Sequence, residues 1–199
     1  MLISRGAVRA AVLAIGLTSI GNASLSPGQA AVDRSNWSID PAHTNIGFSI
    51  DAVGWPRTTG KFEQFGGRIA VDFDHPAKSR VSFKVQAGSV DAGSAGYNDF
   101  IRSAALLNAD GFPTIDFTST SVEKTSEHTV LVTGALTLLG ASRPLSVEVE
   151  VSKRKDGGRT RLAFTAKTKI DRLDFGMNSG YPVISRDVFL TISSEALEP

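Results

Sequence analysis

Three histidines (43, 75 and 128) and no cysteine leave this 199-residue chain few side chains for catalysis or metal binding. Without cysteine there is no disulfide framework, no thiolate metal site and no cysteine nucleophile. Four groupings of acidic and basic side chains bear on chemistry: Asp40 with His43, Asp72 and Asp74 with His75, Asp99 with Arg102, and Arg172 with Asp174. An Asp-Pro-x-His run can seat a polar head group, or it can support the start of a strand by local hydrogen bonds; the second reading is preferred. Asp99 and Arg102 have the i, i+3 spacing of a helical ion pair. Arg172 and Asp174 flank a bend, where a fold-locking salt bridge and a ligand contact both fit. Asp72 and Asp74 alternate onto the outer face of one strand and His75 enters a turn, which describes a solvated strand end and not a metal site. Ser94 and Ser179 sit in Gly-flanked loops with no His or acid at a telling distance. The motifs H-E-x-x-H, G-x-S-x-G, the P-loop and the dinucleotide fingerprint are all missing from the sequence. What chemistry remains is acid-base work by His43, Asp99 or Asp174, which fall in non-alternating segments of the kind that build barrel mouths.

The residues that would position such groups follow from composition and order. At 41% hydrophobic, 21% charged and net +1, the chain is neither disordered nor basic enough to read as a nucleic-acid binder. Arg5 and Arg9 precede an apolar run from Ala10 to Ile20 and then small and polar residues. That order describes a cleavable signal peptide over residues 1–30, with cleavage after Ala23 or Ala30. A retained membrane anchor is the rival reading, but a spanning helix needs about 20 apolar residues. Lipid attachment of the bacterial kind needs a Cys after the cut. The expectation is export to the periplasm with no stable membrane insertion. Loss of Arg5 and Arg9 leaves 19 basic residues against 20 acidic ones, a net charge of −1.

From residue 33 onward the chain forms one domain whose apolar residues recur with period two. The rows are Ile46/Phe48/Ile50, Ile69/Val71/Phe73, Val81/Phe83/Val85, Ile115/Phe117, Val130/Val132/Leu136/Leu138, Leu145/Val147/Val149/Val151, Leu162/Phe164/Ala166/Ile170 and Val188/Leu190/Ile192. One dry and one wet face per strand is the pattern of antiparallel sheet. Turn chemistry separates the rows at Asp74-His75-Pro76, Gly140 to Pro144 and Asp156-Gly157-Gly158. The basic cluster Lys153, Arg154, Lys155 and Arg159 reads as a solvated hairpin tip. Between Asn98 and Leu107 the spacing of Phe100, Ile101, Ala104 and Leu107 predicts a short helix, capped by Asn98 or Ser94 and stopped by Gly111 and Pro113. About eight strands and one short helix fit an all-β closed antiparallel barrel, with a two-sheet sandwich as the alternative. Such a barrel is either filled by its own side chains or holds one small ligand.

The linear order of motifs from Trp37 to Glu195 resembles the YceI-like, polyisoprenoid-binding periplasmic proteins. The likeness opens with Trp37-Ser38-Ile39-Asp40-Pro41-Ala42-His43-Thr44, Phe48, Gly54, Gly60, Phe62, Phe65 and Gly67. It continues with Ser89-Val90-Asp91, Asn98-Asp99-Phe100-Ile101-Arg102-Ser103 and Phe112-Pro113-Thr114-Ile115-Asp116-Phe117. Gly134 to Gly140, Arg143-Pro144-Leu145 and Arg172-Leu173-Asp174-Phe175-Gly176-Met177 complete it. Two departures stand out. Ala52 occupies the position where many members carry a histidine, and Phe100 and Ile101 replace the usual neighbours of the Asp99 and Arg102 pair.

The resemblance implies a lipocalin-like barrel with a short helix near one mouth. It would hold a polyisoprenoid, an isoprenoid quinone or another lipid without metal or cofactor, and without catalysis. It also hints at a homodimer. Ligand-binding residues would be Phe48, Ile50, Phe62, Phe83, Phe100, Leu107, Phe117, Leu136, Phe164 and Met177, each equally able to serve as plain core. Head-group contacts would come from His43, Asp99, Arg102 and Asp174. The alternatives are an enzyme acting on a lipid or quinone at the barrel mouth, and a stress-protective scavenger of lipophilic compounds.

Overall fold

A computed structural model describes residues 35–156 and 158–197; the expected signal peptide lies outside the described residues. Eleven hydrogen-bonded segments make eight antiparallel strands, because three of the strands are broken by kinks. Strand β1 covers Ser35–Ile39 and resumes at Asn45–Ala52, β2 covers Trp55–Phe62 and Phe65–Val71, and β3 covers Arg80–Gln86 and Val90–Asp91. The other five are unbroken: β4 (Thr114–Lys124), β5 (Thr129–Leu138), β6 (Ala141–Asp156), β7 (Arg159–Asp171) and β8 (Ile184–Leu197). Each strand pairs with its neighbours in sequence, and β8 returns to β1. That last pairing has two parts, Ile39 opposite Ala196 and Ile46 opposite Ile192. The ring is therefore closed, and the sandwich alternative falls. Closure removes exposed sheet edges, as long ladders of alternating residues require.

Alternate strands run in opposite senses, so the barrel has two chemically distinct ends. The β2–β3, β4–β5 and β6–β7 connections form one, the hairpin end. The other, the helix end, carries α1 (Ala95–Arg102) between β3 and β4, and the loop 172–183 between β7 and β8. The helix begins earlier than its apolar spacing predicts. Ser94, with extended backbone, accepts a hydrogen bond from the Tyr97 N–H at 3.3 Å, which makes it the cap in preference to Asn98. After Arg102 the chain turns, and Leu107 reaches the interior from that turn, buried although outside any helix. The β5–β6 turn also differs from expectation: Leu139 and Gly140, both at positive φ, make a two-residue hairpin, and Ala141 to Pro144 already belong to β6.

Packing divides into two clusters. Trp37, Ile39, Ile69, Leu162 and Ala196 close the seam between β1, β2, β7 and β8 toward the hairpin end. Ile46, Phe62, Val85, Leu107, Leu136, Ile170, Phe175 and Met177 belong to the larger cluster toward the helix end. Glycine makes room for aromatic rings at two cross-strand pairs, Phe48 with Gly60 and Phe83 with Gly67. A Cβ on Gly60 would lie 2.5 Å from the Phe48 ring and 2.9 Å from the Asp91 carbonyl oxygen. The ring therefore lies over the bare backbone of the next strand.

The long loop at the helix end is held by Arg172, only 1% exposed. Its guanidinium donates to the backbone carbonyls of Ser185 at 2.8 Å, Ile184 at 3.0 Å and Met177. This arrangement satisfies a buried cation with carbonyl oxygens, and burial lowers its pKa. Beside it, Asp171 accepts from Arg186 Nε at 2.6 Å. That bond, with burial opposing it and the Leu173 N–H assisting, holds the Asp171 carboxyl below its ordinary range. The Asp40 carboxyl is likewise lowered, chiefly by its hydrogen bond with His43.

Two outcomes follow from this packing. Gly60→Ala is expected to destabilise the barrel by about 1–3 kcal/mol in chemical denaturation, since ring and backbone must both shift. Carboxyls whose pKa is depressed on folding contribute stability above their unfolded value, here 3.8, and lose it as pH falls through the folded value. The melting temperature should hold level above about pH 5 and drop below it, with a smaller drop in Asp171→Asn.

Candidate functional site

The inward rows of all eight strands do not meet across the barrel. They surround a cavity of about 1160 Å³, slightly above the roughly 300–1,000 Å³ of small-molecule sites. Its wall is the set of period-two rows. Phe48 and Ile50 come from β1, Phe62 from β2, Phe83 from β3, Phe117 from β4, Leu136 from β5, Val147 from β6, Phe164 from β7 and Leu190 from β8. Ring packing stiffens one side, where the Phe48 and Phe62 centroids lie 5.8 Å apart with planes tilted by 46°. All ten residues expected to bind a ligand line this space; Phe100 and Leu107 come from α1 and the turn after it, and Met177 from the loop that Arg172 holds.

The four expected head-group residues do not line it. His43 is exposed in the β1 kink, its Nδ1 2.8 Å from Asp40 Oδ2, and Asp40 also accepts from the Ala42 N–H at 3.0 Å. That is the local support of a strand start. Arg102 donates to Asp99 at 3.2 Å and to backbone carbonyls of Asn98 and Gly88, so it ties the helix to the kink between the two segments of β3. Asp174 is exposed, outside the cavity wall. His43, Asp99 and Asp174 thus share no place on the cavity wall. Of the bend pair, Arg172 engages carbonyls, not Asp174.

The two ends of the cavity differ in chemistry. At the helix end Trp55 (69% exposed), Tyr181 (52%), Tyr97, Phe100 and Val183 both line the cavity and reach solvent, which makes an apolar, aromatic mouth. Ala52, the position of the departure from the usual histidine, lies in this wall, paired with Trp55. At the hairpin end the wall includes Asp72, Ser79, Lys124, Glu127, His128 and Lys153. Lys153 Nζ lies 4.8 Å from the centre of the exposed Phe73 ring, a cation–π distance.

Asp72 is the clearest correction to the expected pattern. In place of a solvated outer-face position, it is buried at 5% exposure and lines the cavity, while Asp74 is exposed. Strand β2 ends at Val71, so the period-two alternation no longer applies to the next residues. Asp72 Oδ1 accepts from the His75 N–H at 2.7 Å, and the Asp72 N–H donates to Ser79 Oγ at 3.0 Å. Burial raises the Asp72 carboxyl, but the His75 hydrogen bonds and the charges of His75 and Lys78 outweigh it and leave the pKa lowered. The rim residues Trp55, Tyr97 and Tyr181 carry no signal in the sequence, because they lie at the first residue of β2, on α1 and in the 172–183 loop and belong to no alternating row. Among the described residues, no group of three His, Asp or Glu is arranged to hold a metal ion, and no helix is long and apolar enough to cross a membrane.

The YceI-like domain profile matches residues 37–196. A UPF0312 protein of Azotobacter vinelandii is 33% identical over 181 residues, covering 90% of this chain and 94% of its own length. Protein YceI of Salmonella arizonae is 33% identical over 158 residues, covering 78% of this chain and 82% of its own. Among solved structures, a polyisoprenoid-binding domain from Saccharophagus degradans, implicated in plant cell wall breakdown, superposes with a TM-score of 0.66 at 17% identity, covering 82% of this chain and 98% of its own. At that identity the likeness concerns the fold. Together with the profile match over nearly all the described residues, the two relatives show that this chain belongs to the YceI-like domain family.

Proposed function

We propose that this protein is a non-catalytic carrier that holds one long apolar molecule, a polyisoprenoid, an isoprenoid quinone or a similar lipid, inside its barrel in the periplasm. The observation that carries this reading is the 1160 Å³ cavity walled by Phe, Leu, Ile and Val. Small core cavities cost about 24 cal/mol per Å³. Extended to this volume, the penalty is on the order of 30 kcal/mol, beyond the roughly 5–15 kcal/mol that holds a domain together. The space must be filled, and water against an apolar wall forgoes about 25 cal/mol for each Å² it keeps wet.

A chain of 20 methylene-sized groups gains roughly 16 kcal/mol on leaving water, at about 0.8 kcal/mol each. Association itself costs about 4–15 kcal/mol, so a long chain binds with free energy to spare while a short one does not. The same chain in a bilayer is already out of water. Exchange between barrel and membrane is therefore close to balanced, which is what a carrier needs. The family match and the polyisoprenoid-binding neighbour support the class of cargo.

Titration with diphenylhexatriene, a polyene that fluoresces only in apolar surroundings, tests this reading. The wild type is expected to bind about one probe per barrel. Ala166→Trp combined with Val132→Phe, two changes in the cavity wall, should weaken that binding about tenfold or more while the protein still melts cooperatively. Unchanged uptake in the filled variant would contradict the interior as the site.

A further inference from the structure

We propose that the hairpin end of the cavity is a subsite for a hydrogen-bond donor, an O–H or N–H at the head of the apolar chain, with Asp72 Oδ2 as the acceptor. This deepens the carrier reading and rests on it. Asp72 lines the cavity and is 95% withdrawn from solvent, since its exposure is 5%. One carboxylate oxygen is occupied, because Oδ1 faces the His75 N–H at 2.7 Å and His75 Nδ1 at 3.4 Å. The other, Oδ2, is buried and has no hydrogen-bond partner. Buried polar atoms without partners are rare in folded proteins, and an ionised oxygen is the most costly kind to leave unpaired. Trp37 Nε1, the other such atom among the described residues, is not on the cavity wall.

The chemistry of the acceptor sets the class of ligand. An ionised carboxylate only accepts, so it rewards an alcohol or amide head and leaves an ether, ester or ketone head unpaired. Ser79 strengthens the choice of a hydroxyl. Its Oγ accepts from the Asp72 N–H at 3.0 Å, a bond that does not use the hydroxyl proton, and Ser79 lines the same end of the cavity. A ligand hydroxyl can donate to Asp72 and accept from Ser79 at once. A phosphate head is disfavoured: Lys124 and Lys153 at this end are offset by Glu127 and by Asp72 itself. The tail of such an amphiphile would lie along the Phe-lined interior, toward the aromatic mouth at the helix end.

The test compares two ligands that differ by one donor, geranylgeraniol and its methyl ether, as competitors for diphenylhexatriene on the full-length protein. Wild type should bind the alcohol about tenfold or more tightly than the ether. Asp72→Asn keeps an oxygen for the His75 N–H and replaces the acceptor with an NH₂ group. It should bring the two affinities within about twofold of each other, each read as competition against the variant's own diphenylhexatriene affinity. Equal affinities in wild type, or a preference that survives Asp72→Asn, would overturn the proposal and leave the carrier reading standing. Failure of all three compounds to bind wild type would instead overturn the carrier reading itself. Wild type also gives an answer that needs no variant: a geranylgeraniol analogue with a diazirine beside its hydroxyl should cross-link to residues 72–79, and labelling confined to the helix end would reverse the assigned orientation.

Discussion

Closure of β8 against both segments of β1 is the constraint on which the rest of this molecule depends. Once eight strands are joined in a ring, the circumference is set, and the interior volume follows whether or not the side chains fill it. Here the two segments of β1 are displaced by the Asp40–Thr44 kink, so β8 meets Ile39 and Ile46 in two separate registers. The Asp40 cluster stabilises that kink from outside, through bonds to the Ala42 N–H, His43 and Arg161. Removing it would loosen the seam, and with it the wall of the cavity. The most conspicuous polar motif in the sequence thus serves the barrel, while the cavity wall consists mainly of residues that have almost no chemistry of their own.

The interior combines stiffness with space. Rings of Phe48 and Phe83 cover glycines on the neighbouring strand, which holds them flat against the wall. A side chain at either glycine would collide with the ring above it and displace it. The buried Arg172, fastened to three carbonyls, fixes the loop that carries Met177 and Tyr181 at the helix end. Polar bonds at the ends and aromatic packing along the sides therefore keep open a volume that hydrophobic collapse would otherwise close.

Much of this was legible in the sequence, and for a physical reason. A strand with one wet and one dry face must alternate, so the eight apolar rows mark eight strands, and the dry face of a closed ring can only be its interior. Six of the ten apolar positions singled out, Phe48, Ile50, Phe83, Phe117, Leu136 and Phe164, belong to those rows, and all ten line the cavity. Polarity inside the barrel was not legible in the same way. Asp72 follows Val71, the last residue of its strand, and the alternation that puts it outside has already ended there. Leu107 lines the cavity as expected, though from the turn after the helix, while Trp55 at the very start of β2 and Tyr181 in the 172–183 loop reach the mouth from positions outside any alternating row. His43, Asp99 and Asp174 attract attention because titratable groups are scarce, yet two of them have local ion-pair partners close in sequence and none faces the cavity.

We infer that a long apolar molecule occupies the barrel as the protein works. Native mass spectrometry of the protein purified from the periplasm of its own cells, followed by solvent extraction and identification of what is released, tests it most directly. One polyprenyl chain or isoprenoid quinone per polypeptide is the expected result. A protein that emerges empty, and that takes up no such lipid when offered it, would contradict the account.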